Sequence, residues 1–174
     1  MNFPKFRLLA AFVGGPIVAL MLLTGPAALK AQTPDLTKNY EMVEAVINDL
    51  GVDAAETRGD KPGVWSLTKG DSKVWLDLWY IATEKRAYFQ TLAPVIRVPA
   101  NAGEELYKYL LAENDKLFGV SFTVYDDWIW MKTIREVEGI DEHEINFMIT
   151  RVGNYAEKYT KDLREKYPKP KPQD

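Results

Sequence analysis

Between residues 38 and 167, apolar and polar positions recur with two different periods, and the switches between them lay out the chain. Tyr40, Val43, Val46, Ile47 and Leu50 repeat at helical spacing. Gly51 stands where a left-handed residue commonly closes a helix, so a first helix is predicted from about Lys38 to Leu50. Residues 52–58 read as a short, weak strand. Val64 to Lys69 alternate, with Trp65 and Leu67 on one face, and Lys69-Gly70-Asp71-Ser72 has the composition of a hairpin turn. Lys73 to Ala82 carry the strongest strand pattern. A polar turn over Thr83 to Arg86 leads into a strand from Ala87 to Val98, where Pro94 predicts an edge position or a bulge. Asn101 and Glu104 have capping-box spacing ahead of Leu106, Tyr109, Leu110 and Leu117, predicting a second helix closed by Gly119. Val120 to Tyr125 and Trp128 to Glu136 read as a hairpin across Asp126-Asp127. Asp141 and Glu144 cap a last helix whose apolar stripe is Ile145, Ile149, Val152, Ala156, Tyr159 and Leu163. The order is α-β-β-β(-β)-α-β-β-α, which predicts an α+β domain: an antiparallel sheet with helices packed on it.

The two ends of the chain follow other rules. Lys5 and Arg7 precede an apolar run of 16 residues, Leu8 to Leu23, broken by Gly14, Gly15 and Pro16. Gly25-Pro26 and the small residues Ala27, Ala28 and Ala31 follow. This is the layout of a secretory signal peptide, and the run is short for a membrane span. Two features keep an uncleaved inner-membrane anchor open. No charge occurs from Leu8 to Leu29, and Leu29 sits at −3 from Ala31, where a small residue is preferred. Residues 1–31 are thus read as a signal peptide or N-terminal anchor, 32–38 as a linker and 39–167 as the folded domain. Residues 168–174, with Pro168-Lys169-Pro170-Lys171-Pro172, are read as an extended, disordered tail.

A chain of 174 residues with 47% hydrophobic content is sized for one packed domain. It has no cysteine. Disulfides, a thiol nucleophile, thiolate metal sites and lipidated cysteine are therefore excluded. The net charge of −3 becomes −6 once Lys5, Arg7 and Lys30 of the leader are set aside. That balance disfavours nucleic acid, whose phosphates need a basic footprint.

Candidate chemistry is sparse. His143, the single histidine, lies beside Asp141, Glu142 and Glu144, but those acids have a capping role and no second histidine stands at metal-ligand spacing. Asp126-Asp127 carries turn chemistry, and no calcium loop surrounds it. Nucleophile-elbow, P-loop and dinucleotide motifs are absent. The expectation is no catalytic residue, no metal and no cofactor. The tryptophans carry more information. Along Lys73–Ala82, Val74, Leu76, Leu78 and Tyr80 share one face and Trp75, Asp77 and Trp79 the other. Trp128 and Trp130 share a face with Lys132. These rings are either core, a subunit interface, or a surface that captures an apolar partner segment. An unpaired aspartate is costly to bury, so the Asp77 side is expected to be the more open one. Trp75, Asp77, Trp79, Trp128 and Trp130 are the candidate partner-binding residues.

Several blocks keep a recognisable order: Val43-Glu44-Ala45-Val46 through Leu50-Gly51, Gly63-Val64-Trp65, and Ala93-Pro94-Val95-Ile96-Arg97-Val98-Pro99. Leu110-Leu111-Ala112-Glu113-Asn114, Gly119-Val120-Ser121-Phe122 and Gly139-Ile140-Asp141 follow. In these the chain resembles the YbjN-like family of proposed bacterial sensory transduction regulators over about residues 40–166. The resemblance implies a fold like that of type III secretion chaperones, often dimeric, with a binding role and no known enzymatic activity. Many members of that family are cytoplasmic, and the leader departs from that pattern. The expected function is a non-enzymatic, exported binding or chaperone-like protein of the bacterial envelope, periplasmic or secreted. Its expected partner is a protein or peptide, and it is expected to be a homodimer. A membrane-tethered regulatory domain is the alternative. A small hydrolase or metal-dependent enzyme built from scattered acids is a further one, disfavoured by the missing nucleophile set.

Overall fold

The computed structural model describes residues 34–168. The leader, the first two linker residues and the tail from Lys169 onward lie outside the described residues. The elements are α1 (Thr37–Asp49), α2 (Ala54–Thr57), β1 (Val64–Lys69), β2 (Ser72–Ile81), β3 (Arg86–Arg97), α3 (Glu104–Asn114), β4 (Ser121–Tyr125), β5 (Trp128–Glu136) and α4 (Glu142–Lys166). The strands form one antiparallel sheet in the order β1-β2-β3-β5-β4. This is the α+β architecture that the alternation predicts, with strand ends within a residue or two of those read from the sequence.

Local chemistry explains the joints. Asp126 and Asp127 take φ of 50° and 59°, the pair of left-handed residues that a two-residue hairpin of this kind requires. Asp141 opens α4 by accepting a 2.7 Å hydrogen bond from the Glu144 N–H. Glu144 pairs instead with Arg135 of β5, 2.5 Å away, and so ties α4 to the sheet. Pro94 falls in the central strand, not at an edge. It is tolerated there because the β3–β5 register shifts between Pro94 and Ile96.

Two local readings need correction. Residues 52–58 are not a strand. Asp53 caps a single turn, α2, by accepting from Ala55 N–H, and Asn48 accepts from Ala54 N–H. Of this segment only Arg58 pairs with the sheet, through an isolated bridge to Trp65. Asn101 does not cap α3. The chain turns early, with Ala102 N–H bonded to Pro99 C=O, and the helix starts after Gly103 without a side-chain cap. It also ends at Asn114, five residues before Gly119.

All the helices that meet the sheet do so on one face. Val74, Leu76 and Leu78 of β2, Phe89 and Ala93 of β3, and Ile129 and Met131 of β5 are buried there. The full stripe of α4, from Ile145 to Leu163, is buried against them, joined by Val43, Val46 and Ile47 of α1 and Leu106 and Leu110 of α3. At about 1.5 Å per residue, α4 is about 37 Å long and spans the sheet. The edge strand β4 is partly closed by Asn114. Its side-chain oxygen accepts from Phe122 N–H at 2.6 Å and its amide donates to Phe122 C=O, as a neighbouring strand would.

Candidate functional site

The other face of the sheet carries no described helix. Period-2 alternation in β2 points Trp75, Asp77 and Trp79 to it, while their neighbours Val74, Leu76 and Leu78 fill the core. Register then decides what lies beside what. β3 separates β2 from β5, and opposite Trp75 stands Leu92, followed by Lys132 of β5 and Ser121 of β4. One row further, Pro94 faces Trp130, which faces Thr123. Arg97, Trp128 and Tyr125 make the next row.

Because Leu92 and Pro94 are compact, Trp75 reaches over β3 to Trp130. Their ring centroids are 5.6 Å apart in an edge-to-face arrangement. Trp130 lies 6.4 Å from Trp128 and donates its indole N–H to Tyr125 C=O at 3.1 Å. Three of the candidate tryptophans therefore form one cluster, each half-buried. Trp79 does not join it. It stacks on Tyr88 at 5.9 Å, and the Tyr88 hydroxyl donates to Glu84, which raises that phenol above its ordinary value. Asp77 lies between the two aromatic groups and accepts a 2.8 Å bond from Gln90 of the adjacent strand. The partner that Asp77 needs is thus supplied on the face itself, so the aspartate is half-buried without being orphaned.

Of the cations of this face, the sequence places only Lys132 beside tryptophans; Lys73 and Arg97 join them in the structure. Lys73 Nζ lies 5.0 Å from the centre of the Trp75 ring, and the Arg97 guanidinium 5.4 Å from that of Trp128. Lys132 sits in the Trp75–Leu92 row. Alternation places Lys73 of β2 and Lys132 of β5 on this side, while Arg97 of β3 reaches it through the register shift between Pro94 and Ile96, and only the strand order shows that the three meet.

The scattered acids are engaged elsewhere. A cleft of about 490 Å³ between α1 and the segment 58–65 contains Glu44. Arg58 holds that carboxylate in a two-pronged pair, Trp65 donates to it at 3.2 Å, and its pKa is lowered, chiefly by Arg58. Glu113 takes bonds from Lys116 and from the buried Tyr159, which lower its pKa in that order. His143 and Asp126-Asp127 are exposed. Among the described residues no three of His, Cys, Asp and Glu gather into a metal-ligating group, and no helix is long and apolar enough to cross a membrane. A second apolar surface lies on α3 and the loop after it, where Leu111 is 69% and Phe118 74% exposed.

Solved structures with the same fold are protein complexes, one of them from a type III secretion system. The ExsC–ExsE complex matches at TM-score 0.56 and 15% identity, covering 72% of this chain and 92% of that one. The HopA1–SchA chaperone–effector complex matches at TM-score 0.56 and 7% identity, covering 74% and 98%. The heterodimeric ExoU–SpcU complex of Pseudomonas aeruginosa matches at TM-score 0.52 and 10% identity, covering 69% and 96%. At these identities the likeness is one of fold: a type III secretion chaperone-like sheet with helices on one side. No curated protein sequence matches the chain. The family model described as "Putative bacterial sensory transduction regulator" matches residues 39–165, almost the whole described domain, and the chain belongs to that family, YbjN.

Proposed function

We propose that this chain is a non-enzymatic, chaperone-like binding protein of the bacterial cell envelope that holds a protein or peptide partner on the outer face of its sheet. The observation that carries the reading is the Trp75–Trp130–Trp128 cluster on the face that no described helix covers. Rings of this size give large contact area for little lost side-chain entropy, and apolar patches on open faces mark contact surfaces. The complexes that share the fold each pair one protein with another, in keeping with a protein partner here. A homodimer belongs to the same reading. Leu111 and Phe118 offer a second apolar surface on elements outside the aromatic face, so self-association and partner capture need not compete.

The test is a double variant, Trp75→Ser with Trp130→Ser. It is expected to unfold cooperatively as a monomer or dimer like the parent, and to lose the proteins that crosslink to the parent in its own host. A variant that fails to fold makes the cluster structural; one that folds and keeps every partner moves the binding face elsewhere.

Envelope delivery rests on the leader, with its basic start and apolar run Leu8 to Leu23. Residues 1–35 fused to a periplasmic reporter are expected to export it, and Leu22→Asp with Leu23→Asp to retain it in the cytoplasm. Unchanged export of the double variant would refute the leader. Mass spectrometry of the native N-terminus separates a cleaved, soluble form from a membrane-tethered regulatory domain.

A further inference from the structure

The outer face is electrostatically divided, and the division identifies the partner's chemistry. Its two central rows and the Arg97–Trp128–Tyr125 row hold Lys132 and Arg97 together with Trp75, Trp128 and Trp130, with Lys73 over the Trp75 ring beside them, and no acidic side chain. None of these three cations has an ion-pair partner among the described residues. Lys73 and Arg97 instead lie over tryptophan rings, which hold the charges near the apolar surface. Past these rows the sign changes. Asp77 and Glu136 face outward along β2 and β5, with Arg86 of β3 paired to Glu136. Asp126 and Asp127 close the opposite end in the β4–β5 turn. An acidic domain thus presents one cationic, aromatic band, bounded by carboxylates at both ends.

We propose that this band binds a short, extended segment of a partner protein in which pairs of apolar residues alternate with pairs of Asp or Glu, so that the side of the segment facing the sheet carries both kinds; the proposal rests on the reading of the outer face as the binding surface. The band crosses four strands, β2, β3, β5 and β4, spaced about 4.8 Å apart, which is the length of roughly four extended residues. Apolar side chains of the segment meet the Trp75–Trp130 cluster and its carboxylates meet Lys73, Lys132 and Arg97, where low local polarity strengthens the attraction. The terminal segments of this chain are poor occupants, since the leader carries Lys5, Arg7 and Lys30 and the tail Lys169 and Lys171. A flat anionic membrane would press on the bordering acids as well as on the band, whereas a single segment lying between them meets cations alone.

The test titrates the protein with three labelled peptides of about eight residues, in which pairs of leucine alternate with pairs of glutamate, serine or lysine, and reads fluorescence polarisation. The glutamate peptide is expected to bind at least about tenfold tighter than the serine peptide, and the lysine peptide not at all. Raising salt from about 0.05 to about 0.5 M should weaken it. Lys73→Glu and Arg97→Glu, both at exposed positions, should each weaken it about tenfold. If the serine peptide binds equally well and still depends on Trp75 and Trp130, the charge inference is overturned while the aromatic binding face stands. If no peptide binds and the tryptophan variant keeps its native partners, both fall. Preferential binding to vesicles of anionic phospholipid, or loss of peptide binding on dimerisation, would overturn the peptide in favour of a membrane or a second copy.

Discussion

Replacing Gly63 with alanine is expected to cost the domain roughly 2–5 kcal/mol, a large part of the stability of a chain this size. Gly63 has φ of +81°, and a Cβ there would lie 2.3 Å from the Leu78 carbonyl oxygen and 3.1 Å from the Tyr40 ring. Two penalties combine. A side chain in left-handed backbone costs about 1–2 kcal/mol. The overlap with a backbone atom must then be relieved by moving β2 or the β1 entry, and Leu78 N–H donates to Gly63 C=O at 2.7 Å across that gap. Gly51 is the control, with the same φ of +81° and nothing within 4 Å of a built Cβ. Its alanine variant is expected to pay only the backbone part. Urea unfolding of the two variants separates the effects, and equal losses would mean that close approach is not what selects glycine at position 63.

Ile149→Ala is expected to cost about 2–5 kcal/mol. Ile149 is fully buried in the middle of α4, where the helix lies across β3. Removing its outer carbons leaves a hole that a sheet on one side and α1 on the other cannot easily close. Denaturant melts should show a lower midpoint with an unchanged slope. The same substitution at Phe147, on the same helix but 43% exposed, should lose much less. Matching losses at the two positions would show that the stripe does not face the core.

The contrast between these two residues shows what was legible in the sequence. The burial of Ile149 could be read directly, because α4 keeps a single apolar face over 25 residues and periodicity reports burial. The two faces of β2 were legible for the same reason. Gly63 could be noted within Gly63-Val64-Trp65, but its reason was not visible, since Leu78 approaches it only after β1 and β2 have paired. Residues 52–58 misled because a one-turn helix is too short to show a period. Asn101 misled because its spacing to Glu104 fits a cap, while the Pro99 turn starts the helix later. At the candidate site, alternation put Trp75 and Trp79 on one face. It could not show that Trp75 joins Trp130, 55 positions away, while Trp79 turns to Tyr88. That depends on β3 lying between β2 and β5, and on Leu92 and Pro94 being small enough for two rings to meet above them. The cations Lys73, Arg97 and Lys132 come together through the same strand order.

The central claim, that the outer face of the sheet holds the partner, is tested most directly by placing a photo-crosslinking amino acid at one of two positions in the full chain in its own host. Leu92 lies in the middle of the outer face, between Trp75 and Lys132. Leu111 lies on the exposed side of α3. Irradiation is expected to join a protein other than this chain through position 92, and a second copy of the chain through position 111. Capture of the other protein at position 111 with none at position 92 would contradict the account and place the binding surface on the helical side of the domain.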